Sequence, residues 1–176
     1  MYGIPHIATG DMLREMRELD TPVARELRAV LDRGELVDDE LMIDLIRERL
    51  SRGDTLGGFV LDGFPRTMPQ AEALGDLLRE LGRKLDVVFD FQVPDREVLL
   101  QRMLARAAVE GRSDDTPEVI GTRLELYDRE TAPLIEYYRS HQANVVGVHA
   151  DRTVEEVFRE IEDALAETQR HRKVEA

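Results

Sequence analysis

The run Leu61, Asp62, Gly63, Phe64, Pro65, Arg66, Thr67, with Pro69 and Gln70 close behind, puts an arginine on a tight turn directly after a hydrophobic stretch. Residues 58–61 read as a short buried strand, and ligands of open α/β sheets bind beyond the carboxyl ends of such strands. Gly63 and Pro65 supply the turn. The rigid guanidinium fork of Arg66 matches a phosphate through two parallel hydrogen bonds. Asp62, at the strand end, is placed to face a magnesium ion or its waters. An ordinary turn with a surface arginine has the same local sequence, so a phosphate clamp needs a second site to support it.

Thr9, Gly10, Asp11, Met12, Leu13 and Arg14 provide one, after an extended run over residues 5–8. The series continues through Gly34, Glu35, Leu36 and Val37 with Asp39 and Glu40, then Arg102 and Arg106, Arg112 to Asp115, Arg123, and Thr131 to Tyr138. In this order the motifs resemble the adenylate kinase family of nucleoside monophosphate kinases, from about the second residue to the last helix. The resemblance implies reversible phosphoryl transfer from ATP to AMP, giving two ADP, with Mg2+ accompanying ATP, in purine nucleotide homeostasis. Such chemistry is mostly positioning and charge neutralisation, so cations converging on phosphates are expected rather than a covalent nucleophile.

Carried over residue by residue, the resemblance gives Arg14 and Arg66 the acceptor phosphate, and sets Arg106, Arg112 and Arg123 with Arg66 around the transferring group. Arg112 and Arg123 also border AMP, as do Thr9, Gly63 and the backbone of Glu35, Leu36 and Val37. Arg102, one helical turn before Arg106, joins the ATP side, and Arg152 touches the ATP base through its main chain. Relatives that phosphorylate UMP or CMP usually have alanine and asparagine at the positions of Thr9 and Gln70. The Gln70 amide can donate to N1 of adenine and accept from its exocyclic amine, so AMP is the favoured acceptor. Plainer roles stand beside these: a solvated helix face for Arg102, a structural pairing with Tyr127 or a carboxylate for Arg123, and a surface amide for Gln70.

Only Ala107 to Gly111 separate Arg106 from Arg112, which resembles the short-lid form of the family, with a lid loop at 106–112. Residues 8–37 would form the AMP-binding subdomain of a single domain over 1–176. Neither Lys84 nor Lys173, the only lysines, lies in a G-x-x-x-x-G-K-[ST] pattern. The resemblance therefore implies a P-loop NTPase-like three-layer α/β sandwich whose parallel sheet has the family order 2-3-1-4-5, with strand 1 and its phosphate loop absent from these residues. Strands near 5–8, 58–61, 87–93 and 145–148 would be strands 2, 3, 4 and 5, leaving a slot between 59–61 and 87–91. A catalytically impaired AMP-binding remnant is the alternative function.

Composition narrows the classes. A length of 176 residues without a Gly/Ser/Pro-rich linker suits one domain. Zero cysteines exclude disulfides and a thiolate zinc lid, and a reducing cytoplasm is the expected home. A formal net charge of -13 argues against nucleic acid, and no apolar run is long enough to span a membrane. The resemblance implies a monomer. The four histidines lack metal-ligand spacing, and no G-x-S-x-G serine hydrolase motif occurs.

The positioning elements read in turn as follows. Thr9 or Asp11 opens a helix, Thr21 with Pro22 another that stops at Gly34, and Asp38 with Asp39 caps a third carrying Leu41, Leu45, Ile46 and Leu50. A helix over 67–81 follows the arginine turn, and Asp95 caps the one that carries Arg102 and Arg106. Thr116 and Pro117 begin a segment running to about 139, bent near Pro133. Thr153 and Glu156 form a capping box for the last helix, and residues 170–176 read as a frayed tail. Strands alternating with helices imply a mainly parallel sheet.

Overall fold

In the computed structural model, which describes residues 3–110 and 116–175, the chain divides into two compact units. One comprises the chain up to Gly82 together with Glu118–Leu134; the other comprises Arg83–Pro117 and the chain from Ile135 onward.

The first unit opens with β1 (His6–Ala8), α1 (Thr9–Arg17), α2 (Pro22–Asp32) and α3 (Asp39–Leu50), then β2 (Val60–Asp62) and α4 (Met68–Glu80). β1 and β2 are parallel, with Ile7 opposite Leu61 and Ala8 opposite Asp62. Helix starts follow side-chain capping chemistry: Thr21 accepts from Ala24 N, Asp38 from Leu41 N and Thr67 from Gln70 N, each satisfying a donor the helix leaves open. Apolar residues at helical spacing, Met42, Ile46 and Leu50 on α3 with Leu74, Leu77 and Leu78 on α4, join Ile7, Leu13, Leu27 and Phe64 in one core. Returning to this unit, α6 (Pro117–Leu126) buries Ile120 completely.

Gly34 ends the α2 turn at φ +72°, and an added Cβ would lie 2.8 Å from Val119 Cγ1 and 2.9 Å from the Val119 carbonyl oxygen. Only glycine permits both that backbone conformation and that approach.

The second unit contains β3 (Val88–Gln92), α5 (Arg96–Glu110), α7 (Pro133–Ser140, which begins in the first unit), β4 (Val145–His149) and α8 (Val154–Glu175). β3 and β4 are parallel, Asp90 lying opposite Gly147. Thr153 and Glu156 make the reciprocal capping box, with Glu156 Oε2 accepting from Thr153 N at 3.0 Å and Glu156 N donating to Thr153 Oγ1 at 3.3 Å. His149 binds Glu160 twice, through its backbone N at 3.1 Å and through Nδ1 at 2.8 Å, fastening α8 to β4.

Several expectations are corrected. α1 begins at Thr9 with Ala8 as its N-cap, so neither Thr9 nor Asp11 caps it; the Thr9 hydroxyl has other partners. The strand expected at 58–61 is Val60–Asp62, because Gly58 at φ +124° is not in extended strand geometry. The helical stretch expected over 116–139 is interrupted before Pro133 by a π-helical turn, Tyr127–Thr131, in which Ala132 N reaches back to Tyr127 O at 2.8 Å. α8 continues to Glu175 instead of fraying at 170. Residues 106–110, expected in a lid loop, are the last turn of α5.

Candidate functional site

β2 ends at Asp62, and the chain turns at Gly63, whose φ of +76° is a left-handed conformation. This glycine lies against two side chains that matter: its added Cβ would sit 2.8 Å from Thr9 Oγ1 and 3.0 Å from Arg66 Nη2. Thr9 is only 2% exposed, and its hydroxyl is within hydrogen-bond distance of the carbonyls of Asp62 (3.1 Å) and Gly63 (3.0 Å). The first residue of α1 is thus fastened to the loop after the neighbouring strand.

Arg66 is held by three bonds from different directions. Its Nε donates to Gly63 O at 2.8 Å, its backbone N to Gln70 Oε1 at 2.8 Å, and its carbonyl accepts from Thr131 Oγ1 at 2.9 Å. The guanidinium is open to solvent but walled by protein. That desolvation, and secondly the charge of Arg123, lowers its pKa from the ordinary arginine value, while Asp62 acts in the opposite sense. Arg66 makes no ion pair with a carboxylate among the described residues. A fixed cation with a second cation beside it is an arrangement that an anion stabilises.

Gln70, on the first turn of α4, is 2% exposed. Besides its bond to Arg66, its Nε2 donates to Asp39 Oδ1 at 2.7 Å, and the same oxygen accepts from Thr67 Oγ1 at 2.9 Å. The sequence sets Asp39 in the series of motifs and, with Asp38, at the start of α3, and assigns it no partner on α4. The signal for a second role is the pair of adjacent aspartates: Asp38 alone supplies the cap, leaving Asp39 available for α4.

The remaining acceptor-side residues fall in the same unit. Arg14 pairs with Asp11 one turn earlier on α1. Glu35 accepts from Arg33 Nη2 at 2.7 Å, and this bond lowers its carboxyl pKa below the usual glutamate value. Leu36 is half-buried and Val37 belongs to the core. Arg123, on α6, runs past Gly34, its Cγ 3.4 Å from where a Cβ would be. The exposed Asp62 carboxylate has Oδ2 3.1 Å from His6 Nε2. Arg112 lies outside the described residues.

The residues expected on the ATP side belong to the second unit. Arg102 wraps the loop between β4 and α8: Nη1 bonds the Ala150 carbonyl, and Nη2 donates to Asp151 O at 2.8 Å and Arg152 O at 3.5 Å. It therefore holds the backbone of Arg152, a role the helical spacing could not reveal. Arg106 is one turn further along α5. Among the described residues, no group of three or more His, Cys, Asp or Glu could hold a metal ion, and no helix is long and apolar enough to cross a membrane.

Parallel α/β units with a buttressed arginine just beyond a strand's carboxyl end have the layout of the nucleotide-handling α/β folds, whose ligands sit at that end of the strands. The family model described as adenylate kinase matches residues 1–143. The chain is 47% identical over 167 residues to an adenylate kinase of Cyanothece sp. (strain PCC 7425 / ATCC 29141), covering 94% of this chain and 85% of that protein. It is 42% identical over 174 residues to that of Thermosynechococcus vestitus, covering 97% and 88%, and 36% identical over 191 positions to that of Bacillus subtilis (strain 168), covering 93% and 87%. The chain belongs to the adenylate kinase family, and its fold class is the family's P-loop NTPase α/β fold. Within the family strand order 2-3-1-4-5, strands 2 and 3 are neighbours, as are 4 and 5. β1–β2 and β3–β4 pair in that way.

Proposed function

We propose that the chain acts as a nucleoside monophosphate kinase with AMP as acceptor: an AMP phosphate oxygen attacks the γ-phosphorus of ATP, the bond to the bridging oxygen breaks, and two ADP result. The observation that carries this reading is Arg66, open to solvent, beside Arg123 and pinned at Nε, N and O. Arg66 and Arg14 bind the AMP phosphate, and Arg123, with Arg106 and Arg112, neutralises charge on the transferring group. Preorganised cations of this kind stabilise the transition state without rearranging.

Thr9, Gly63, Gln70 and the stretch Glu35–Val37 surround the nucleoside, with residues 8–37 as the acceptor subdomain. Arg152 contacts the ATP base, its backbone held by Arg102. Mg2+ prefers an octahedral shell made mostly of waters and phosphate oxygens; the exposed Asp62 carboxylate fits as an acceptor for such waters. When bound with ATP, Mg2+ neutralises phosphate charge. A monomer of the cytoplasm, with no nucleic-acid or membrane partner, completes the proposal.

Calorimetric titration of the 176-residue chain tests the acceptor assignment. AMP should bind more tightly than ATP, because the acceptor residues are present while no G-x-x-x-x-G-K-[ST] loop occurs in this sequence. Tighter binding of ATP, with no competition from AMP, refutes it.

A further inference from the structure

We infer that Asp39 is a positioning residue for base selectivity, fixing which end of the Gln70 amide carries the donor and which the acceptor. The inference rests on the proposed meeting of Gln70 with the purine edge.

A glutamine amide has two N–H donors and two oxygen lone pairs, and either orientation fits the same volume. Here its surroundings allow one. Arg66 N can only donate, and it meets Oε1 at 2.8 Å; an ionised carboxylate can only accept, and Asp39 Oδ1 meets Nε2 at 2.7 Å. Turning the amide over would set oxygen against oxygen at Asp39 and N–H against N–H at Arg66. At 2% exposure Gln70 has almost no water to compensate either loss. Thr67 Oγ1, donating to the same Asp39 oxygen at 2.9 Å, holds that oxygen in place. The cap of α3 is Asp38, so Asp39 is not needed as a cap.

One N–H and one lone pair of Gln70 remain for a ligand, in a fixed order. Adenine presents an acceptor at N1 and a donor at its 6-amine; hypoxanthine presents a donor at N1 and an acceptor at O6. A freely turning amide serves both edges, and a locked one serves adenine only.

AMP and IMP, which share every other group, are therefore the probes, each titrated calorimetrically into the 176-residue chain and its variants. The unsubstituted chain should prefer AMP at least about tenfold, the scale set by one unsatisfied buried hydrogen-bonding group. Asp39→Ala, which leaves the Arg66 N–H as the one remaining group opposed to the turned amide, should narrow the preference by about threefold or more. Asp39→Asn, whose side-chain oxygen still accepts from Nε2, should retain it. If the alanine variant fails to fold, Asp39→Ser, which also removes the carboxylate but keeps a small polar side chain at the first position of α3, makes the same comparison. A preference unchanged in the alanine or serine variant, or equal weakening of both nucleotides, overturns the inference and leaves Asp39 a structural residue. Failure of the unsubstituted chain to bind AMP overturns the acceptor assignment itself, and this inference with it.

Discussion

Replacing Gly63 by alanine tests whether the turn after β2 is shaped for Arg66. Two effects add. The residue would be forced to keep φ near +76°, which costs an L-residue about 1–2 kcal/mol. Its methyl group would also stand 2.8 Å from Thr9 Oγ1 and 3.0 Å from Arg66 Nη2, closer than unstrained contact permits. The threonine hydroxyl, buried with its one proton between two carbonyl acceptors, must shift, and an orphaned buried polar group costs about 1–3 kcal/mol. The total is about 2–5 kcal/mol, a large share of the roughly 5–15 kcal/mol that holds a domain together. Gly82 separates the two effects: its φ is +65°, but an added Cβ would meet nothing within 4 Å. Gly82→Ala should therefore cost only the backbone part, about 1–2 kcal/mol. Urea denaturation followed by circular dichroism gives both values, and AMP titration of the folded variants gives the functional consequence. Gly63→Ala should weaken AMP by displacing the guanidinium, while Gly82→Ala leaves AMP binding alone. Equal stability losses with equal AMP affinity would refute the claim that Gly63 is required by its neighbours and not merely by its backbone angle.

Other substitutions probe separate parts of the site. Arg66→Lys keeps the charge but loses the fork and the bond to Gly63 O; AMP binding should fall about tenfold or more, the scale of one charge-assisted hydrogen bond, with adenosine affinity unchanged by calorimetry. Inorganic phosphate should compete with AMP in the same titrations, because the solvent-facing Arg66 lies near the charge of Arg123. Thr131→Val removes the hydroxyl that holds the Arg66 carbonyl and should cost about 1 kcal/mol in urea denaturation. The Glu160 carboxyl has its pKa lowered first by its bond from the His149 side chain. Its contribution is therefore present above the ordinary glutamate range and lost as pH falls through the lowered value; Glu160→Gln should flatten that acid-side loss in a pH series of melting curves.

Local chemistry was the most legible part of the chain. Thr21, Asp38, Thr67 and Thr153 act where their side chains can reach the open donors of a helix start, and that reach spans only three residues. The arginine turn was legible for the same reason, since Gly63 and Arg66 are neighbours in sequence. Partners distant in sequence were not. Nothing in the residues around Thr131 announces that its hydroxyl meets the carbonyl of Arg66, and the four-residue spacing of Arg102 and Arg106 gives no hint that Arg102 bonds the carbonyls of residues 150–152. Thr9 misled because a threonine before an amphipathic run is an ordinary cap, whereas here it lies one residue inside the helix and bonds across to β2. Gln70 reads as a helix-surface amide or a base contact, and only the fold discloses that both its ends are engaged within the protein.

The return of residues 118–134 to the first unit has a consequence for how the protein is made. A ribosome delivers the chain in order, and after Gly82 it must add everything up to Leu134 before that unit has all its parts. At the usual rate of about 5–20 residues per second the wait is roughly 3–10 s. Through that interval Gly34 faces no Val119, Ile120 has not arrived to enter the interior, and the Arg66 carbonyl has no threonine to bind. The nascent N-terminal part can form its helices and bury Ile7, Ile46 and Leu50 early, but Arg66 acquires its last support only when synthesis has passed residue 131.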